Sequence, residues 1–211
     1  MKEPSNPTPP VTVVVLAAGA SSRMGEHKLL LPLGGRPLVA WSVAAASDSK
    51  ASDVWVILGR DAASIEAMLP PGRYRTIRNA VYSRGQSASL ALAASAAPAG
   101  SVGIIVLLAD QPFVTAELID HVLAAVSESP DRVIMCTAHG HQGHPVYLPR
   151  RLFAALQTLT GDIGARDLIA SEHDSVRLVA TEDNWAQFDV DTPEDYQVAL
   201  SLAYRLTSSE P

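Results

Sequence analysis

Apolar positions along this chain follow two periods. Residues 11–18 are apolar at almost every place and run into Gly19, the pattern of a strand covered on both faces. Residues 54–58, 102–109 and 133–137 repeat it. Shorter strands are expected at 74–78, 144–148, 176–180 and 187–189. The intervening stretches carry helix spacing and helix punctuation. Pro37 opens 37–47, Pro70-Pro71 stops 62–69, and Pro98 stops 86–97. Thr115 is placed to cap 116–127, with Glu117 and Asp120 early in that helix. A helix is expected at 151–159. Thr192 caps the last one, 193–205, with Glu194 and Asp195 in its first turn.

Strands alternating with helices imply a single Rossmann-like α/β/α domain in three layers around a mostly parallel sheet. It is expected to span 11–206, with disordered tails at 1–10 and 207–211. Ligands of such sheets gather at the carboxyl ends of strands. The loops after Ala18, Arg78, Ala109 and Asp189 are therefore where the chemistry is expected.

Composition narrows what that chemistry is. The chain has 211 residues, 47% of them apolar, and a formal net charge of -6. An acidic balance argues against a nucleic-acid surface. An anionic ligand would need a local basic site. One cysteine, Cys136, excludes an internal disulfide and a Cys-rich metal site, and its apolar surroundings mark it as a buried strand residue. Residues 1–10 lack the regions of a signal peptide, and no run approaches the roughly 18 apolar residues of a membrane span. No membrane and a cytoplasmic location are the expectations.

The local basic site lies in the loop after the first strand, LAAGASSRMGEHK from Leu16 to Lys28. After Leu16, the small residues Ala17, Ala18 and Gly19 let backbone N–H groups approach an anion and form a nest. Ser21 and Ser22 add hydroxyls, and Arg23 and Lys28 add charge. GxxxxGK[ST] and GxGxxG are both absent, which disfavours a P-loop NTPase and a nicotinamide-binding fold. Asn79, Ser83, Gly85, Gln86 and Ser89 follow a strand and open a helix; a plainer reading is a glycine turn with Ser87 as cap. Asp110-Gln111-Pro112 puts a carboxylate at a strand's end, where Mg²⁺ is commonly held by one or two carboxylates, phosphate and water. Asp189 and Asp191 are two apart, so an extended segment points both to one face. His141 and His144 lack the partners and spacing of a zinc site.

The stretch from Leu16 to Pro37 closely resembles the signature of the molybdopterin-nucleotide family of nucleotidyltransferases, most nearly its molybdenum cofactor cytidylyltransferase branch. Five motifs occur in that family's order between Val13 and about Tyr204. The resemblance implies a nucleotide-diphospho-sugar transferase type of fold and a loop that wraps the triphosphate. Arg23 and Lys28 would stabilise the reacting phosphates, with Asp110 as the third catalytic residue. Residues 79–90 would lie against base and ribose, although the family often has Met where this chain has Gln86. Mg²⁺ would sit on Asp110 and an aspartate of the last motif, with Asp191 preferred to Asp189. Gln111, Gly143, His144, Pro145 and Arg166 would face the acceptor. The Ala17-Ala18-Gly19 form resembles the CTP users, whereas guanylyl-transferring relatives typically carry Ala-Gly-Gly.

By that resemblance the chain moves CMP from CTP to the terminal phosphate of molybdenum–molybdopterin and releases pyrophosphate. An apo molybdenum hydroxylase would be the protein that receives the product. The alternatives are a related transferase using GTP or another phosphorylated acceptor, an oxidoreductase on a nicotinamide-type fold, and a non-catalytic nucleotide or cofactor chaperone.

Overall fold

The computed structural model describes residues 10–19, 27–182 and 185–208. Three of the apolar runs become the centre of a seven-stranded sheet: β1 (Val11–Ala17), β4 (Asp53–Leu58) and β6 (Gly103–Leu108). A small antiparallel ribbon, β2 (Pro32–Leu33) with β3 (Arg36–Pro37), precedes α1 (Leu38–Asp48). The remaining strands are β5 (Arg75–Arg78), β7 (Val133–Ala138), β8 (His141–Pro149) and β9 (Val176–Ala180). Their order is β5-β4-β1-β6-β8-β7-β9. All are parallel except β8, which runs against both neighbours. The expected α/β class and the mostly parallel sheet are both present.

The sheet's two faces are split by the alternation of each strand. Val11, Val13, Val15 and Ala17 of β1 pack with α1, α4 (Ala116–Glu128) and α7 (Pro193–Ser208). Val14 and Leu16 pack on the opposite side with α3 (Gln86–Ala96) and α5 (Phe153–Thr158). α2 (Ala62–Met68) buries Ile65 in the first of these cores. Thr115 caps α4 as expected, its hydroxyl accepting from Leu118 N at 3.2 Å. Thr192 and Asp195 form a reciprocal capping box at α7. Asp195 N donates to the Thr192 hydroxyl at 3.1 Å, and Thr192 N donates to the Asp195 carboxylate at 2.9 Å. Cys136 is buried, and burial pushes its thiol up to about 12. No helix among the described residues is long and apolar enough to cross a membrane.

Three expectations change. The strand expected at 187–189 is a turn leading into irregular backbone, tied to the rest by Val190 N donating to Asp110 O at 3.0 Å. Its alternation is strand-like, but its neighbour is the loop after β6 rather than an open strand edge. The strand expected at 144–148 is longer, because its start pairs with β7 in a hairpin turned at His139 and Gly140, both at positive φ. A short helix absent from the sequence reading, α6 (Arg166–Ser171), follows the Gly161–Gly164 turn.

Candidate active site

The carboxyl ends of β1, β4, β5 and β6 open onto one edge of the sheet. Because β8 is reversed, its beginning reaches that same edge. Two cavities lie there, of about 620 and 630 Å³, sharing Leu16, Gln86 and Leu108 in their walls.

Lys28 is the centre of the first cavity. It opens a single turn of helix, Lys28–Leu30, whose buried Leu29 anchors it in the core. Its ammonium donates to Asp110 Oδ2 and to Asp191 Oδ1, each at 2.7 Å. Asp110 comes from the loop after β6, and Asp191 from the segment leading into α7. Residues far apart in sequence thus meet on one cation, whose side chain is only 13% exposed. Burial works against the charge on Lys28. The attraction of Asp110 and the hydrogen bonds to both carboxylates outweigh it and hold the ammonium above its ordinary range. Two carboxylates converging on one cation also form an all-oxygen, hard donor pair of the type Mg²⁺ takes, with phosphate and water completing the shell. Among the described residues no group of three metal-ligating side chains occurs.

Asp189 and Asp191 do not share a target, contrary to the extended reading of the segment. Asp189 accepts from Gln111 Nε2 at 2.9 Å and lines the second cavity. Burial, then the charges of Asp110 and Asp191, push its carboxyl up to about 6, partly offset by Gln111.

The turn before α3 closes the far end of the first cavity. Asn79 is buried; its amide donates to Ser89 Oγ at 3.0 Å, and its Oδ1 accepts from Val81 N at 3.0 Å. Ser83, Gly85, Gln86 and Ser89 all line the cavity. Gly85 has φ +98, and a Cβ there would fall 2.4 Å from Gly161 O, so only glycine lets the two turns meet. Ser87 does not cap α3. Its N–H donates to Gly161 O at 3.1 Å, and its hydroxyl faces Gly164 O at 3.4 Å, tying the helix start to that second turn.

The second cavity is built by the β7–β8 hairpin and α6. Cys136 pairs with Gly143 but Met135 pairs with Val146, so His144 and Pro145 form a bulge. Pro145 has no N–H to give the ladder, and a bulge is where a strand tolerates it. The bulge leaves Gly143 and His144 in the cavity wall; Pro145 itself is buried beneath it. A Cβ on Gly143 would lie 2.9 Å from Gln187 Cδ. Burial pushes the His144 imidazole down to about 4, against the pull of Asp110. Gln111 and the exposed Arg166 complete the polar wall, and Val106, Leu148, Ile163 and Ile169 the apolar one.

Leu16, Ala18, Gly19, Lys28 and Asp110 stand together as the sequence suggests, whereas Ala17 points into the core away from the cavity. Ser21, Ser22 and Arg23 lie outside the described residues. Sequence reasoning missed Arg60, Tyr82 and Asp162 in the first cavity and Gln187 in the second. Arg60 follows β4, so the strand-end rule could have found it. Gln187 carries no such signal.

The model of the MobA-like NTP transferase domain family matches residues 13–176. That span includes Lys28, Asp110, Gly143 and Arg166 and ends before Asp189. The chain is similar to purine catabolism protein PucB of Bacillus subtilis, 33% identical over 88% of this chain and 93% of that protein. It is equally similar to nicotine blue oxidoreductase of Paenarthrobacter nicotinovorans, 33% identical over 88% of this chain and 94% of that one. Among solved structures, a manganese complex of Rv0371c from Mycobacterium tuberculosis superposes with a TM-score of 0.75, at 27% identity over 90% of this chain and 98% of that one. The fold is that of the nucleotide-diphospho-sugar transferases.

Proposed function

We propose, from the premise that this chain belongs to the MobA-like NTP transferase domain family and is a nucleotidyltransferase of that type, that it transfers CMP from CTP to the terminal phosphate of molybdenum–molybdopterin. The observation that carries this reading is Lys28, held at 2.7 Å from both Asp110 and Asp191 where two cavities adjoin. The first cavity would take the nucleotide, with Asn79, Ser83, Gly85, Gln86 and Ser89 toward base and ribose. The second would take the acceptor, with Gln111, Gly143, His144 and Arg166 around it and Pro145 behind the bulge.

Mg²⁺, held by Asp110 and Asp191, would neutralise phosphate charge; the manganese complex of the mycobacterial relative supports divalent-metal use in proteins of this kind. The acceptor's phosphate monoester has a second pKa near 6, so at pH 7 it is mostly dianionic. Its oxygen attacks the α-phosphorus, the bond from that phosphorus to the β-bridging oxygen breaks, and pyrophosphate leaves. No proton is moved, so no general base is required. Lys28 and Arg23 offset charge on the α-phosphoryl and pyrophosphate oxygens. The second cavity orients the acceptor, and its apolar wall excludes water that would otherwise compete as nucleophile.

The test is pyrophosphate release from purified protein with Mg²⁺, molybdenum-loaded molybdopterin and each of the four NTPs. Release with CTP alone is expected. Release with GTP would keep the mechanism and replace the base. One relative is named an oxidoreductase, so the same preparation is assayed with NAD(P)H. Hydride transfer without pyrophosphate release would overturn the proposal.

A further inference from the structure

The first cavity holds a cation that the mechanism above leaves unused. Arg60 lines it, is exposed, and has no carboxylate within ion-pair distance among the described residues. Its neighbour Asp61, at φ +51, contacts His27. Lys28, the other described cation of this cavity, is already shared by Asp110 and Asp191. Asp162 adds a further carboxylate to the wall. The described charged side chains that line this space are therefore Lys28 and Arg60 against Asp110 and Asp162, with Asp191 held on Lys28. Among the described side chains, Lys28 without Arg60 leaves a negative wall facing a polyanion.

The position of Arg60 is fixed by its backbone. Gly59 is wedged between the end of β1 and the turn before α3: a Cβ there would fall 2.8 Å from Ala18 O and 2.7 Å from Tyr82 Cβ. Arg60 thus starts beside Ala18 at the end of β4, on the other side of β1 from the β6 end that leads to Asp110. A guanidinium with a free fork matches phosphate oxygens two at a time.

We infer that Arg60 grips the β- and γ-phosphates of the bound nucleotide, the part that departs as pyrophosphate. It is a binding and positioning residue for the leaving group. The inference rests on the first cavity being the nucleotide site.

Calorimetric titration of wild type, Arg60→Ala and Arg60→Lys with CTP, CMP and pyrophosphate, in the presence of Mg²⁺, tests it. Arg60→Ala is expected to weaken CTP and pyrophosphate by about tenfold to a hundredfold, the worth of charge-assisted hydrogen bonds, and to leave CMP unchanged. Arg60→Lys should recover part of the loss, because the charge returns without the fork. Equal weakening of CMP and CTP would move Arg60 to the base or ribose and overturn the inference. So would unchanged affinity for all three ligands. Failure of the wild type to bind any of them would overturn the nucleotide reading itself, an outcome separable from the Arg60 arms.

Discussion

The two cavities are nearly equal in size and unlike in chemistry. The first is organised by charge: one half-buried ammonium between two carboxylates, with a second cation in the wall. The second is organised by shape: a strand bulge, a glycine pressed against a glutamine, an imidazole kept neutral by burial, and an apolar wall. Electrostatic contacts gain most where water is excluded, whereas shape discriminates through close packing. On the proposed reading, a single sheet edge would separate the means of handling phosphate from the means of choosing a partner for it.

The largest effect should come from breaking the charged side. Asp110→Ala is expected to lower turnover by about 10³ or more while the thermal midpoint and circular dichroism stay close to wild type. Activity within tenfold of wild type would remove Asp110 from the site. Much of this side was legible in advance. β1 and β6 are apolar on both faces, so they announce a central sheet, and with Thr115 capping α4 the Asp110 carboxylate is released from that common duty. What stayed hidden was convergence. Nothing local to Asp191 says that it meets Lys28 while Asp189 turns to Gln111; the chain must fold before that choice exists. The reversal of β8 is also invisible to a pattern that records burial but not direction.

Next in size, Lys28→Ala should lower the rate by about 10²–10³, comparable with losing one preorganised electrostatic donor. It also leaves Asp110 and Asp191 facing each other without their shared cation. Manganese titration followed by electron paramagnetic resonance would show whether the pair still binds a divalent ion in that variant. Binding is expected to persist there and to be lost in Asp110→Ala.

The shape-organised side should break selectively. Gly143→Ala forces a methyl against Gln187 and is expected to raise KM for the acceptor about tenfold, roughly 1.4 kcal/mol, with KM for the nucleotide unchanged. A parallel rise in both would mean that the cavities are not separable.

The smallest effect concerns stability. His144 has its folded pKa lowered to about 4, below the ordinary 6.5 of an unfolded chain. As pH falls from 6.5 to 4 the unfolded state takes up a proton that the native state refuses, so stability is full above 6.5 and declines through that window. Urea midpoints measured at pH 7 and pH 5 should differ less in His144→Gln than in wild type. An equal difference in the two proteins would place the imidazole in water.

The β7–β8 hairpin, turned at His139 and Gly140, gives this architecture a direction in which to evolve. Its base is locked into the sheet between β6 and β9, but its tip overhangs only the second cavity. Lengthening, shortening or recolouring that tip would reshape the second cavity without touching Lys28, Asp110 or Asp191. If the proposed roles hold, the molecule is a tool with a fixed handle and an exchangeable bit: descent could reassign the acceptor by editing one hairpin, while the machinery proposed to activate the nucleotide is inherited intact.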